Sequence, residues 1–232
     1  MKRLTGIVVL LVASAFAFAA DAPAPIKPFN GKDLTGWIPN GDKAKSKWTV
    51  GAAKLDPADP SKITAESGGT DLVNTGKAMD IYTEQTFDDV IVKCETLTPK
   101  GSNSGIYLMG EYEVQVCDST AKTGGYTTGD HGAIYGVSAP KDPKYNKTGV
   151  WDKFEIHFQA PRFDADGKKT ANAKFLKVIL NDVVIQENVE VKKPTGSELN
   201  PKESAKGPLM FQGNHGPVGI RNIEITPVVP SK

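Results

Sequence analysis

The 232-residue chain balances 28 Lys and Arg against 27 Asp and Glu, with 39% hydrophobic and 8% aromatic residues, 23 Gly and 16 Pro. A near-neutral chain without a basic run cannot hold a phosphate backbone by counterion release, so nucleic acid is excluded as a partner. The hydrophobic content is that of a globular protein, and Gly plus Pro falls short of a disordered or collagen-like composition.

Lys2 and Arg3 lead into the apolar run Ile7 to Phe18, and the small residues Ala17 and Ala19 fit a cleavage site, so residues 1–20 read as a signal peptide. The run is about twelve residues long, whereas a membrane span takes about twenty. The expectation is an exported protein, periplasmic or secreted, with no membrane span once the signal is removed. Residues 21–28 form an Ala/Pro-rich linker, and residues 29–228 are expected to form one domain.

From Phe29 onward the dominant period is two. Val90, Val92 and Cys94 share one face of a strand over Asp88 to Glu95, and Asp152, Phe154, Ile156 and Phe158 share one face of another over Trp151 to Gln159. Further strands are expected at Trp48 to Val50, Ile63 to Ala65, Ala78 to Thr83, Gly105 to Met109, Tyr112 to Cys117, Phe175 to Leu180, Val183 to Glu187, Leu209 to Gln212 and Val218 to Ile225. Asn181-Asp182 supplies a two-residue hairpin loop, and no window carries an amphipathic helix. The pattern predicts an all-β chain folded as a single-domain jelly-roll β-sandwich. Cys94 and Cys117 both fall in strands; either they form one bridge or each is a separate buried small hydrophobe.

Several familiar sites are missing. Gly101-Ser102-Asn103-Ser104-Gly105 has Asn where a nucleophile elbow needs its serine. His131, His157 and His215 are widely spaced and no C-x-x-C occurs, so no zinc pattern is readable. Asp164-Ala165-Asp166-Gly167 shares letters with a calcium loop, but Arg162 stands at its first ligand position, which favours a hairpin tip. No cofactor is evident.

Tyr112 to Asp118 is the strongest local constellation. Alternation puts Glu113 and Gln115 on one face and Tyr112, Val114 and Val116 on the other, while Asp118 joins the polar face only through a bulge. Glu95 is a second strand carboxylate. If its strand neighbours that of Glu113, two carboxylates and an amide converge, and crowding would raise one carboxyl pKa while the other stays ionised. The alternative is a solvated face of an antiparallel sheet. Tyr135, beside long loops, is either a ligand wall or core, whereas Trp48 and Phe154 look structural.

Several segments together carry a resemblance: Phe29-Asn30-Gly31-Lys32-Asp33-Leu34-Thr35-Gly36-Trp37, Asn103-Ser104-Gly105-Ile106-Tyr107, Tyr112 to Val116 with Asp118, Gly132-Ala133-Ile134-Tyr135-Gly136, Gly149-Val150-Trp151-Asp152, Gly207 to Gln212, His215-Gly216-Pro217-Val218 and Arg221-Asn222-Ile223. In this order they resemble the 3-keto-disaccharide hydrolase family, also described as 3-keto-glucoside lyase/hydratase. The resemblance implies a concanavalin A-like sandwich and an oligosaccharide or glycoside substrate oxidised at C3. It implies base-assisted elimination across C1–C2 followed by hydration, unlike the two-carboxylate glycosidase route.

Under that resemblance the candidate catalytic residues are Glu113, Glu95, Asp118 and His215. Asn103, Gln115, Tyr135, Gln212 and Arg221 are the candidate substrate-binding residues, with the polar groups among them hydrogen-bonding to the sugar or an enolate oxygen. A divalent metal polarising the keto oxygen is conceivable, although no ligand spacing specifies one. The chain departs from the family at Asp152, where members usually carry Asn after Trp, and at Ile220, where an aromatic is expected. A catalytically silent carbohydrate-binding module using the same face is the rival reading, and a structural envelope protein a third.

Overall fold

The computed structural model describes residues 23–200 and 202–228. The expected signal peptide and the first two linker residues lie outside them.

Among the described residues there is no α-helix, only one short 3-10 turn at Lys43–Lys45. The strands are β1 (Trp37–Pro39), β2 (Trp48–Leu55), β3 (Ile63–Asn74), β4 (Ile81–Phe87), β5 (Val90–Leu97), β6 (Asn103–Leu108), β7 (Tyr112–Cys117), β8 (Asp152–Gln159), β9 (Arg162–Phe163), β10 (Lys169–Ala171), β11 (Ala173–Leu180), β12 (Val183–Val191), β13 (Gly207–Phe211) and β14 (Val218–Pro227). Each of the expected strands is present, and β3 runs nine residues past its expected end.

The strands form two antiparallel sheets packed as a sandwich. The smaller has the order β1-β4-β13-β6-β7 and the larger β12-β11-β8-β5-β14-β3-β2; β9 and β10 make a separate ribbon. The sandwich is the jelly-roll architecture expected from the alternating pattern. Between the sheets Ile106, Val114, Val116 and Phe211 of the small sheet meet Val92, Phe154, Ile156 and Ile225 of the large one, all buried. Side chains of this size contribute about 1.5–3 kcal/mol each when fully buried, so strand register is fixed by which alternate set faces inward.

Two local features follow from turn chemistry. Asn181 and Asp182 both adopt positive φ (49° and 66°) between β11 and β12, the conformation a two-residue hairpin of this twist requires. The β6–β7 hairpin turns through Met109 and Gly110, also at positive φ, which sets Tyr107 opposite Glu113 and Gly105 opposite Gln115.

The two cysteines are free: Cys94 points into the core from the large sheet, while Cys117 ends β7 in the small one. No helix among the described residues is long and apolar enough to cross a membrane.

Candidate active site

The outward face of the small sheet carries Asn103, Gly105 and Tyr107 from β6, Glu113 and Gln115 from β7, and Gln212 just beyond β13. On an antiparallel sheet this face is ordinarily wet. Here it is covered, leaving Glu113 and Gln115 only 3% and 2% exposed. One cover is the segment 132–135, which runs along the free edge of β7: Gly132 N–H donates to the Gln115 carbonyl at 2.8 Å and Tyr135 N–H to the Glu113 carbonyl at 3.2 Å. The other is the loop after β12. Its Thr195 Oγ1 accepts from Glu113 N–H at 3.0 Å, and its Gly196 carbonyl lies 3.3 Å from the Tyr107 hydroxyl.

Between these covers lies a cavity of about 120 Å³ lined by Asn103, Tyr107, Glu113, Gln115, Tyr135, Ser197, Gln212 and His215. Six of the nine residues singled out in the sequence are therefore brought together. Tyr135, 41% exposed, stands at the rim as a wall.

Glu113 is held by a short chain. Tyr107 donates its phenolic proton to Glu113 Oε2 at 2.8 Å and accepts from Gln212 Nε2 at 3.1 Å. Gly105 makes room for the carboxyl: a Cβ there would stand 2.3 Å from Glu113 Oε1 and 2.8 Å from Tyr107 Cε2. Burial pushes the Glu113 carboxyl up to about 7, partly opposed by the Tyr107 hydrogen bond and reinforced by the negative charge of Asp80. A carboxyl poised near neutrality both takes and returns a proton, the property a general base or acid needs.

Asp80 also shapes the loop that presents Gln212 and His215. Its Oδ1 accepts from Gly213 N–H at 2.9 Å, and Asn74 Nδ2 donates to the Gly213 and Gly216 carbonyls at 3.0 and 2.8 Å. Gly213 must be glycine because a Cβ would stand 2.1 Å from the Met79 carbonyl oxygen. His215 is exposed at the rim, with Nδ1 against Asn214 Oδ1.

Glu95, Arg221 and Asp118 lie elsewhere. Glu95 and Arg221 are on the outer face of the large sheet, where Arg221 Nη2 and Nε hold Glu95 Oε2 at 2.7 and 2.8 Å and the guanidinium stacks 4.1 Å from the Trp151 ring. The expected convergence of Glu95 with Glu113 fails because β5 and β7 belong to different sheets packed back to back, so their outward faces diverge. Asp118 does not join the Glu113 face through a bulge. Its carboxylate caps a turn, accepting from Gly101 N–H at 2.8 Å and from Thr120 Oγ1 at 2.6 Å.

His131 is buried outside this cavity, against Phe154 and Tyr145. Its Nδ1 accepts from Cys117 N–H at 3.1 Å, which leaves the proton on Nε2, 3.4 Å from Asp152 Oδ2. Asp152 Oδ1 also accepts from Asn146 N–H and Asn181 Nδ2 at 2.8 and 2.6 Å. Every neighbour of this carboxylate is a donor, which accounts for Asp rather than Asn at this position. Among the described residues no three His, Cys, Asp or Glu side chains are grouped so as to hold a metal ion.

Sequence reasoning did not single out Asp80, Thr195 or Ser197, and named Tyr107 only as the end of the Asn103-Ser104-Gly105-Ile106-Tyr107 motif. The β6–β7 register, fixed by a three-residue turn, was the available signal for Tyr107; nothing local marked the others.

The sequence model of the 3-keto-alpha-glucoside-1,2-lyase-like domain matches residues 24–226, nearly all of the described chain. The chain belongs to this family. Its members' chemistry places it among carbohydrate hydrolases and lyases, and its fold matches solved structures from Parabacteroides distasonis. One, described as a "putative glycosyl hydrolase", shares 29% identity at a TM-score of 0.65, covering 88% of this chain and 84% of that one. Another with the same description shares 18% identity at a TM-score of 0.58, covering 87% and 92%, and bears on the fold alone. A search of curated proteins finds no match.

Proposed function

We propose that this protein is an exported lyase/hydrolase that cleaves 3-keto-glycosides, such as 3-keto-disaccharides, with Glu113 as the base. In such a sugar the C3 carbonyl acidifies the C2 hydrogen, and the glycosidic oxygen on C1 is β to that carbonyl. Glu113 takes the C2 proton, the C2–H electron pair becomes the C1–C2 double bond, and the C1–O bond breaks as its oxygen gains a proton from His215 at the rim. Water then adds across the double bond, returning a proton to C2 and a hydroxyl to C1. The net result is hydrolysis without an oxocarbenium ion.

The observation that carries this reading is the buried Glu113 carboxyl, raised to about 7 and clamped by Tyr107 inside a cavity of polar side chains. A base poised near neutrality suits carbon acid chemistry at physiological pH. Asn103, Gln115, Tyr135 and Gln212 bind the sugar in this scheme. No step runs through a metal. Export rests on Lys2, Arg3 and the apolar run after them.

The test is incubation of the purified protein with α- and β-linked 3-keto-disaccharides, following 3-keto-glucose by mass spectrometry beside Glu113→Gln. Release that disappears in the variant is expected. Saturable binding without release would overturn the enzyme and leave a sugar-binding module.

A further inference from the structure

Resting on that reading of the site, we infer that Asp80 and Asn214 are positioning residues for His215: Asp80 holds the Asn214 amide, whose oxygen holds the His215 Nδ1–H, so the imidazole exchanges its proton with the substrate through Nε2. The three side chains are linked in series. His215 Nδ1 lies against Asn214 Oδ1, and Asn214 Nδ2 reaches Asp80 Oδ2 at 3.5 Å. Asp80 is only 4% exposed, and its Oδ1 accepts from the N–H groups of Gly213 and Asn214 at 2.9 and 3.4 Å. The chain therefore starts from a buried carboxylate fixed by backbone donors and ends on a ring at the cavity rim.

This series sets the polarity of the imidazole. An amide offers an acceptor at its oxygen and donors at its nitrogen. The negative charge of Asp80 draws the Asn214 nitrogen and repels the oxygen, so the oxygen turns to His215, where only a protonated Nδ1 can meet it. Nε2 is then the nitrogen left to titrate, on an exposed ring that lines the cavity. The backbone is fixed on both sides of His215 as well, by Asn74 Nδ2 on the Gly213 and Gly216 carbonyls. An exposed side chain ordinarily samples several rotamers, and a bond to a tethered neighbour selects one of them.

Nε2 serves both half-reactions. As the C1–O bond breaks, the imidazolium gives its Nε2 proton to the departing oxygen, while Glu113 holds the proton taken from C2. In the hydration, water bonds to C1, its proton passes to Nε2, and Glu113 returns its proton to C2. Both groups end as they began, and no further reactant is consumed. Nδ1 keeps its proton on Asn214 throughout, so the ring neither turns nor changes tautomer between the two steps.

Leaving-group dependence tests the role, because a nitrophenolate departs without a proton and an alkoxide does not. On methyl 3-keto-glucosides, Asn214→Ala should lower kcat/KM for aglycone release about thirtyfold; on the 4-nitrophenyl counterparts the loss should stay within about threefold. His215→Ala should show the same pattern, and adding Asn214→Ala to it should cost nothing further. Equal losses on both substrates would make Asn214 a support of the loop alone and overturn the inference, as would no loss on either.

The tautomer is read without substrate. Ring spectra of the 15N-labelled protein at alkaline pH, with the His215 signals assigned from His215→Ala, should show the proton on Nδ1. Asp80→Asn should move it to Nε2, since an amide at that position donates toward Asn214 and turns the Asn214 amide around. A proton on Nε2 in the wild type, or one that stays on Nδ1 in Asp80→Asn, would overturn the inference. If the wild type turns over no keto-sugar, the proposed function falls, and these spectra alone decide whether Asp80 and Asn214 set the polarity of His215.

Discussion

The Tyr107 hydroxyl and the Glu113 carboxylate meet at 2.8 Å across the β6–β7 pair, with Tyr107 donating. This bond fixes one carboxylate oxygen and opposes the effect of burial on its pKa. Tyr107→Phe removes both influences. The expected outcome is a kcat about tenfold lower and an acid limb of the pH–rate profile moved to higher pH, measured by steady-state kinetics from pH 5 to 9.

The wild-type profile carries its own expectation. Glu113 acts as base only when ionised and its pKa is raised to about 7, so activity should be low at pH 5.5 and climb through pH 7. An acid limb centred near the ordinary carboxylate value of about 4.3 would remove Glu113 from the role of base.

Gly105→Ala should fold and fail. Its Cβ would stand 2.3 Å from Glu113 Oε1, and the displaced carboxyl would sit away from its working position. Misplacement of about 1 Å costs on the order of 10²-fold in rate. Circular dichroism should match wild type while kcat/KM falls by about that factor.

Glu111, in the turn between β6 and β7, is fully buried with neither carboxyl oxygen partnered among the described residues. Burial pushes its carboxyl up to about 7, and the negative charge of Glu203 adds to this. Because the folded pKa is raised, the folded state holds this proton after the unfolded chain has lost it. Its contribution to stability therefore falls as pH rises from about 4.5 through about 7. Glu111→Gln should remove that fall, making the variant more stable than wild type above pH 7 by up to about 3 kcal/mol and no more stable at pH 4. Urea denaturation at the two pH values reads the difference.

Cys94 and Cys117 sit in different sheets, and burial pushes their thiols up to about 12 and about 11. Both should remain reduced and unreactive in the native protein, and a thiol assay in denaturant without reductant should count two per chain. A count near zero would mean that they pair.

The sequence by itself determined the sandwich, because alternation of apolar residues tells each strand which side to bury. It determined the Asn181-Asp182 hairpin, because few residues accept two successive positive φ values. It also determined that Glu113 and Gln115 share a face opposite Val114, and the ordered motifs determined the family. What it could not determine was which outward faces coincide. Glu95 and Glu113 obey the same alternation, yet they point away from each other because their strands lie in opposed sheets. Period two reports a side chain's side of its own strand and nothing about strand order, and β13 reaches its place between β4 and β6 only through contacts more than a hundred residues apart. The coverage of the polar face was decided the same way. Thr195, Gly196 and Ser197 arrive from a loop after β12, and Asp80 approaches from β4's leading end. Their burial of Glu113, which lifts its pKa, exists only once the distant segments have packed.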